Sequence, residues 1–338
     1  MSKKKQEMNS IPEENAAVKQ PKKKKKKGSG LLGRIIRRFF LLVFTIVILA
    51  AAALVLVLNM LFNGPSPAAQ EVITMSLIEA SATKWVPALF IGEERVAEIR
   101  ENVVADLPED VSDVSEVVIQ KGNALTSTSD EWANHPDGIR IERYAGDTYN
   151  AHIMIIRDPS TVYMGTSTEK FSVNIPGKRI TEMMDANPDA VAAINAGAFF
   201  DDGTAGTAVG SYPLGLVVSN SKTVWTSGKQ PGLEGFAGFN QDDILIVSKK
   251  NLTQKEAEEQ GIRDGCCFGP VLLMNGEVNM EAYDNNSGFN PRTAIGQRKD
   301  GAVIFVCIDG RQAGSLGGTY ADIIDIMVEY EAYNACNM

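Results

Sequence analysis

Phe39 to Phe62 is a run of 24 residues without one charged side chain, FFLLVFTIVILAAAALVLVLNMLF. As a helix rising about 1.5 Å per residue, it is long enough for a bilayer core of about 30 Å. A helix that is apolar all round must be buried on every side, in a large core or in lipid. The run therefore divides the chain into a short leading segment and a globular body. Arg34, Arg37 and Arg38 abut its N-terminal end, while the stretch from Asn63 to Pro67 carries no charge. That asymmetry places the N-terminus in the cytoplasm and the body outside. A cleaved signal sequence has an apolar core of about 7–15 residues. This run is longer and no A-x-A site follows it, which favours an uncleaved single-pass anchor at the cell membrane.

The net charge of −9 is unevenly spread. Residues 1–38 hold 13 Lys or Arg against 3 Asp or Glu, and the remainder holds 20 against 39. Lys22 to Lys27 form an unbroken run, whose like charges repel and keep a chain disordered. Beside a membrane span, such a tail suits anionic lipid at the inner surface. An acidic body argues against nucleic acid as a partner.

Four regions are therefore expected: a basic tail over 1–38, the anchor over 39–62, a helical stalk or cap with an acidic linker over 63–137, and a main domain over 138–338. Residues 69–107 read as helices that cap the body, broken or kinked at Pro87. Residues 108–137 are acidic and read as loop with one strand at most. Gly138 to Tyr144 alternates and Tyr149 to Ile156 is rich in strand formers, predicting antiparallel strands. Ile180 to Ala186 reads as a short helix and Val191 to Ile194 as a buried strand. Further strands are predicted at Ile244 to Val247, at Val271 to Leu273 and, most strongly, at Val303 to Ile308. Thr319 and Asp322 have the spacing of a capping box, and Ile323, Ile324, Met327 and Tyr330 then share one helix face. The body reads as α+β (or α/β), a mixed sheet with flanking helices.

The chemistry is narrowed first by what is missing. There are two histidines, His135 and His152, and no H-E-x-x-H, G-x-S-x-G or P-loop pattern. That count argues against a Ser-His-Asp hydrolase, and His152, in an alternating strand, reads as structural. Cys266, Cys267, Cys307 and Cys336 fit no zinc spacing, so no zinc is expected. Cys307, inside an apolar run, reads as a buried small hydrophobe. The cofactor is otherwise unknown, and a divalent metal stays open.

What remains is Asn, Asp, Arg and glycine backbone. After Ile194 the chain breaks into Asn195-Ala-Gly-Ala-Phe-Phe200 and a loop with Asp201, Asp202, Gly203, Gly206 and Gly210. Gly197 and its neighbours permit close backbone approach to a ligand, and Phe199 and Phe200 suit the wall of a sugar-sized pocket. Arg292 and Arg311 are each suited to bidentate contact with phosphate oxygens. Gly317, Gly318 and Thr319 open a helix whose N-terminal N–H groups form an anion site. Asp309, at the C-terminal end of the strongest strand, is placed as an acid or a metal ligand. Glycosidic cleavage ordinarily takes two carboxylates, with Asp201 and Asp202 as substitutes for the second.

Ile194-Asn195-Ala-Gly-Ala-Phe-Phe200 and Pro213-x-Gly215-Leu216 resemble the phosphodiester glycosidase family. Phe268-Gly-Pro-Val-Leu272, Arg292-Thr-Ala-Ile-Gly296, Asp309-Gly-Arg311 and Asn334-Ala-Cys-Asn337 match its further motifs in order. The resemblance covers residues 138 to 338. It departs at Ala198, where the family keeps glycine, and at Met338, where the family's D-G-G-G-S would begin. It implies a hydrolase of sugar–phosphate diester or related glycosidic bonds in envelope polysaccharide, with Asp309, Asn195 and Arg292 catalytic. A carbohydrate- or wall-binding module on the same fold is the alternative. The resemblance also implies that the chain stops short of a full domain and is inactive as it stands, and that the segment after Asn337 continues a strand beside Val303 to Ile308.

Overall fold

The computed structural model describes residues 30–101, 107–119, 130–200, 210–228 and 235–338. The expected basic tail, apart from its last residues, and Asp201, Asp202, Gly203 and Gly206 lie outside the described residues. Two compact units are distinguished, one ending at Leu56 and one running from Val57 to Met338.

Helix α1 (Leu31–Asn63) spans 33 residues. Its Gly33–Asn63 part is long and apolar enough to cross a membrane, a test that a signal sequence also passes. The hydroxyl of Thr45 donates to the Leu41 carbonyl at 2.8 Å, so the one polar side chain in mid-run is satisfied within the helix. Helix α2 (Pro67–Ile78) is capped by Ser66, and α3 (Val86–Glu101) follows. Pro87 does not kink this region; it lies in the first turn of α3, where its missing N–H costs nothing. The bend falls instead at Gly92, whose φ of 79° breaks the helix.

The body then runs through β1 (Ile139–Ala145), β2 (Asn150–Ile156), α4 (Ile180–Asp185), β3 (Leu216–Ser219) and β4 (Lys222–Thr226). Next come β5 (Phe236–Asn240), β6 (Leu245–Ser248), α5 (Gln254–Glu259), β7 (Ile262–Cys266), β8 (Val271–Met274) and β9 (Glu277–Val278). It ends with α6 (Met280–Asp284), β10 (Arg292–Arg298), β11 (Val303–Ile308), α7 (Tyr320–Glu329) and β12 (Ala332–Asn337). The strands form a seven-stranded sheet in the order β1-β2-β11-β10-β12-β8-β9 and a five-stranded sheet in the order β4-β3-β7-β5-β6. The ladders are antiparallel, so strands and helices segregate and the class is α+β.

Three apolar layers hold the body together. One face of the larger sheet packs on α7 through Ile153, Ile304, Ile323 and Met327. Its other face meets the smaller sheet through Val217, Leu245, Val303 and Cys336. The outer face of the smaller sheet is covered by α5 through Ala257, Phe236 and Ile246. The expected capping box is present, with Asp322 accepting from the Thr319 N–H and hydroxyl at 2.7 Å each.

Two expectations are corrected here. Val191 to Ile194 forms no strand, and Val191 is 72% exposed. Four apolar residues are too few to decide by periodicity, and no neighbouring strand is in place to complete a ladder. The C-terminal segment does not lie beside Val303–Ile308 either. β12 pairs with β10 and β8, while β11 already has β2 and β10 on its two sides.

Candidate functional site

The residues singled out from sequence fall into two groups on opposite faces of β10. Successive strand residues point to opposite sides, and Arg292 and Thr293 are successive. Arg292 faces α7 and Thr293 faces the second sheet.

On the α7 side, the Arg292 side chain is 3% exposed. Its Nε donates to the Gly318 carbonyl at 3.2 Å and its Nη2 to the carbonyls of Ser287 and Gly288 at 2.9 and 3.3 Å. Nη1 reaches both carboxylate oxygens of Glu79 at 3.3 Å, and the guanidinium lies 4.1 Å from the Tyr320 ring centre. Every guanidinium nitrogen thus has a protein partner. Glu79 arrives on the end of α2, which docks through Ser76 Oγ, accepting from the Phe289 N–H at 2.9 Å, and through Asn286, donating to Glu71 at 2.8 Å. Arg311 joins the same group, donating to Asn290 Oδ1 at 2.7 Å. Partial burial lowers its pKa, Glu79 opposes this and Arg292 adds to the lowering.

Gly317, Gly318 and Thr319 belong here too. A Cβ on Gly317 would meet the Asn290 nitrogen at 2.6 Å, and one on Gly318 would meet Ile308 Cδ1 at 2.9 Å. The glycines let the chain lie against residue 290, with Asn290 and Gly318 exchanging backbone hydrogen bonds. The start of α7 is occupied by protein as well: the Tyr320 N–H goes to Ser287 Oγ at 2.8 Å, and the Asp322 N–H to Thr319 Oγ1 at 3.2 Å. Arg292, Arg311 and the α7 start are therefore together; the Arg292 nitrogens and the α7 N–H groups are engaged by protein, while Arg311 is exposed and bonded to Asn290.

The other face carries Asp309. Its N–H extends the ladder to the Asn150 carbonyl at 2.8 Å, and its own carbonyl accepts from Ser315 Oγ at 2.6 Å. His152 pairs with Cys307 across β2 and β11, so Asp309, two residues further on, shares its face. The His152 Nε2 to Asp309 Oδ2 separation is 3.7 Å, and both side chains are about half exposed. His152, read from sequence as structural, has a carboxylate neighbour that only the strand register reveals. Cys307 is free and half-buried; burial raises its pKa, the Thr293 hydroxyl lowers it and Asp309 adds to the rise.

Asn195 is held on this face. Thr293 Oγ1 donates to Asn195 Oδ1 at 2.7 Å, and Asn195 Nδ2 faces the Met338 carbonyl at 3.5 Å. The loop after it is pinned by Ala198 N–H to the Cys267 carbonyl at 3.1 Å and Phe200 N–H to the Tyr212 carbonyl at 2.8 Å. Gly197 has a φ of 77°, with Cys266 close behind it. Phe199 and Phe200 are each 46% exposed, and Phe200 stacks edge-on against Tyr212 at 6.1 Å. Asn195, Gly197 and Phe199 border a cavity of about 640 Å³ between the sheets. Among the described residues no three His, Cys, Asp or Glu side chains come together as a metal-binding set.

A family model described as phosphodiester glycosidase matches residues 188–338. The SPbeta prophage-derived uncharacterized protein YomE of Bacillus subtilis (strain 168) is 22% identical over 183 residues, 53% of this chain. The chain spans 26% of the length of that relative. Among solved structures, the zebrafish N-acetylglucosamine-1-phosphodiester alpha-N-acetylglucosaminidase catalytic domain auto-inhibited by pro-peptide is 19% identical, with a TM-score of 0.41. That alignment covers 59% of this chain and 69% of the zebrafish chain. A hypothetical protein from Synechocystis is 16% identical with a TM-score of 0.37, covering 61% of this chain and 57% of its own.

Proposed function

We propose that this chain, whose residues 188–338 belong to the phosphodiester glycosidase family, is a membrane-anchored extracytoplasmic hydrolase of sugar–phosphate diester or related glycosidic bonds in envelope polysaccharide. The observation that carries the reading is the Asp309–His152 pair, 3.7 Å apart and half exposed at the end of β11, on the face that holds Asn195. In the reaction, the oxygen of water forms a bond to the anomeric carbon. The bond from that carbon to the phosphate oxygen breaks, and the bonding pair leaves with the phosphate monoester. Asp309 takes the water proton, His152 orients the carboxylate, and the Asn195 amide, fixed by Thr293, binds the sugar. Phe199 and Phe200 supply apolar walls for the ring. Arg292 is assigned a different task from the phosphate clamp expected of it: it ties Glu79 and the 287–288 backbone to β10, and so sets the strand from which Thr293 holds Asn195.

The second reading, a carbohydrate-binding module without turnover, is favoured by one observation: every guanidinium nitrogen of Arg292 is engaged by protein. The experiment is hydrolysis of an aryl-phospho-sugar diester by the full chain in nanodiscs. Turnover that falls about 10²–10⁴-fold in Asp309→Asn is expected for a lost acid–base group, with a smaller fall in His152→Ala, which loses only the group that orients it. Saturable binding of the diester with no turnover in the unmodified chain gives the binding module instead.

A further inference from the structure

The two sheets differ in width, seven strands against five. The β2–β11 side is reached by the smaller sheet through Val217 of β3 and Ala237 and Phe239 of β5, which cluster with Ile156 and Val303. Met154 and Phe305 stand opposite each other there, in mid-strand, yet are only half-buried. Above them lies the cavity of about 640 Å³, roofed by α4 and the chain on either side of it.

The lining identifies the occupant. Met154, Met164, Met183, Met184 and Met338 all border the cavity, with Phe305 on its floor. Methionine is unbranched and polarizable, and it suits a surface that must fit a flexible apolar guest. Of the four aspartates in the lining, Asp264 is held by Arg263 at 2.6 Å and Asp158 by the Ser160 N–H at 3.0 Å, while Asp137, Asp189 and Lys178 give the cavity a polar end. Protein interiors are close-packed, and the apolar part of this lining, left without a guest, forfeits contacts. The cavity's volume is that of a small-molecule site. One end reaches Asn195 and Phe199, the residues assigned to the sugar.

We propose that this cavity takes the aliphatic chain of a membrane-derived amphiphile, and that the substrate is accordingly a lipid-linked sugar phosphodiester. The chain enters between the sheets, and the sugar–phosphate end stays at Asn195 and Asp309. The proposal rests on the hydrolase reading for its substrate, but the chain-binding site stands or falls by itself. An enzyme that carries its own span long enough to cross a bilayer meets such a substrate at the membrane surface.

The test uses the full chain in nanodiscs and sugar phosphodiesters whose second alcohol is methyl, n-hexyl, n-decyl or geranyl. Burial of a methylene is worth up to about fourfold in affinity, so kcat/KM is expected to rise at least tenfold from methyl to hexyl. Met183→Trp or Met184→Trp, on the half-buried roof helix, fills the cavity and is expected to flatten that rise while methyl diester turnover is kept. A preference between decyl and geranyl distinguishes an acyl from an isoprenoid source. In parallel, an alkyl phosphate with a terminal diazirine is photolysed with the unmodified chain and the labelled peptides are mapped. Label on the peptides of Met154, Met183 or Phe305 is expected, with label on α1 as the delivery control. If no diester is turned over but those peptides are labelled, the hydrolase reading fails and the chain site holds. Chain-length independence together with label on α1 alone overturns the proposal.

Discussion

Arg292 is where a structural and a catalytic role make opposite predictions. Arg292→Met keeps much of the side-chain length and removes the guanidinium. The buried carbonyls of Gly318, Ser287 and Gly288 each lose a hydrogen bond, with Asn290 still donating to the first two, and Tyr320 loses a cation 4.1 Å from its ring. Hydrogen bonds from a charged group are worth about 1.5–3 kcal/mol each but do not add, and breaking a buried pair costs about 3–5 kcal/mol in total. The Glu79 side chain is 30% exposed and recovers water when released, so its share is small. The expected loss is about 4 kcal/mol, close to a thousandfold in the folding equilibrium at about 1.4 kcal/mol per tenfold. Urea unfolding of residues 57–338, followed by near-ultraviolet circular dichroism, measures it. The same titration on Glu79→Gln should show a loss of about 1 kcal/mol or less. If Arg292→Met unfolds within about 1 kcal/mol of the parent while diester turnover disappears, the residue is a substrate clamp and the packing argument is wrong.

Four further outcomes follow. Gly317→Ala places a Cβ 2.6 Å from the Asn290 nitrogen at a φ of +123°, and is expected to cost at least about 2 kcal/mol by urea titration, from strain and clash together. Thr293→Val removes the 2.7 Å bond to Asn195; it should cost about 1 kcal/mol of stability yet reduce turnover more than Thr293→Ser, since only the hydroxyl orients the amide. Burial works against the charged form of Glu131, but Arg298 and Arg140 outweigh it and hold its carboxyl below the usual range. A lowered folded pKa means stability that is present above the unfolded value of about 4.3 and lost as pH falls through the folded value, so Glu131→Gln should lower the melting temperature at pH 7 and leave it unchanged near pH 2. Protease added to intact cells should digest the body and spare the lysine-rich tail, and protection of the body would reverse the proposed topology.

Legibility from sequence followed the source of each signal. Val303–Ile308 and the helix after Thr319 emerged with the expected bounds, because one is a continuous apolar run and the other carries its own cap. Strands β10 and β12 gave no such signal: R-T-A-I-G-Q-R and A-Y-N-A-C-N mix polar with apolar residues and no element was expected there, although most of their residues are buried. Their polar side chains are satisfied by the other sheet and by turns of their own sheet. Gln297 accepts from the Leu245 N–H at 2.6 Å and donates to the Asp243 and Gly301 carbonyls, and Asn334 accepts from the Asn275 N–H and donates to the Leu245 carbonyl. A buried amide whose partners lie mostly some 50 to 90 residues away leaves little local trace, which is why the sheet's centre was the part missed.

The same reasoning explains why the expected single pocket divides in two. A motif is written as a string, but a strand presents its residues alternately to two environments. In Arg292-Thr-Ala-Ile-Gly296, the arginine serves the α7 side, where it locks α2 and the 287–288 backbone, and the threonine serves the cavity side, where it fixes Asn195. Asp309-Gly-Arg311 divides in the same way, the aspartate beside His152 and the arginine bound to Asn290. In each motif one residue holds the fold and the other faces the proposed site. The two are coupled because each pair shares one short piece of backbone. Moving Arg292 shifts the strand that carries Thr293, so a residue with no path to the substrate still governs where Asn195 sits.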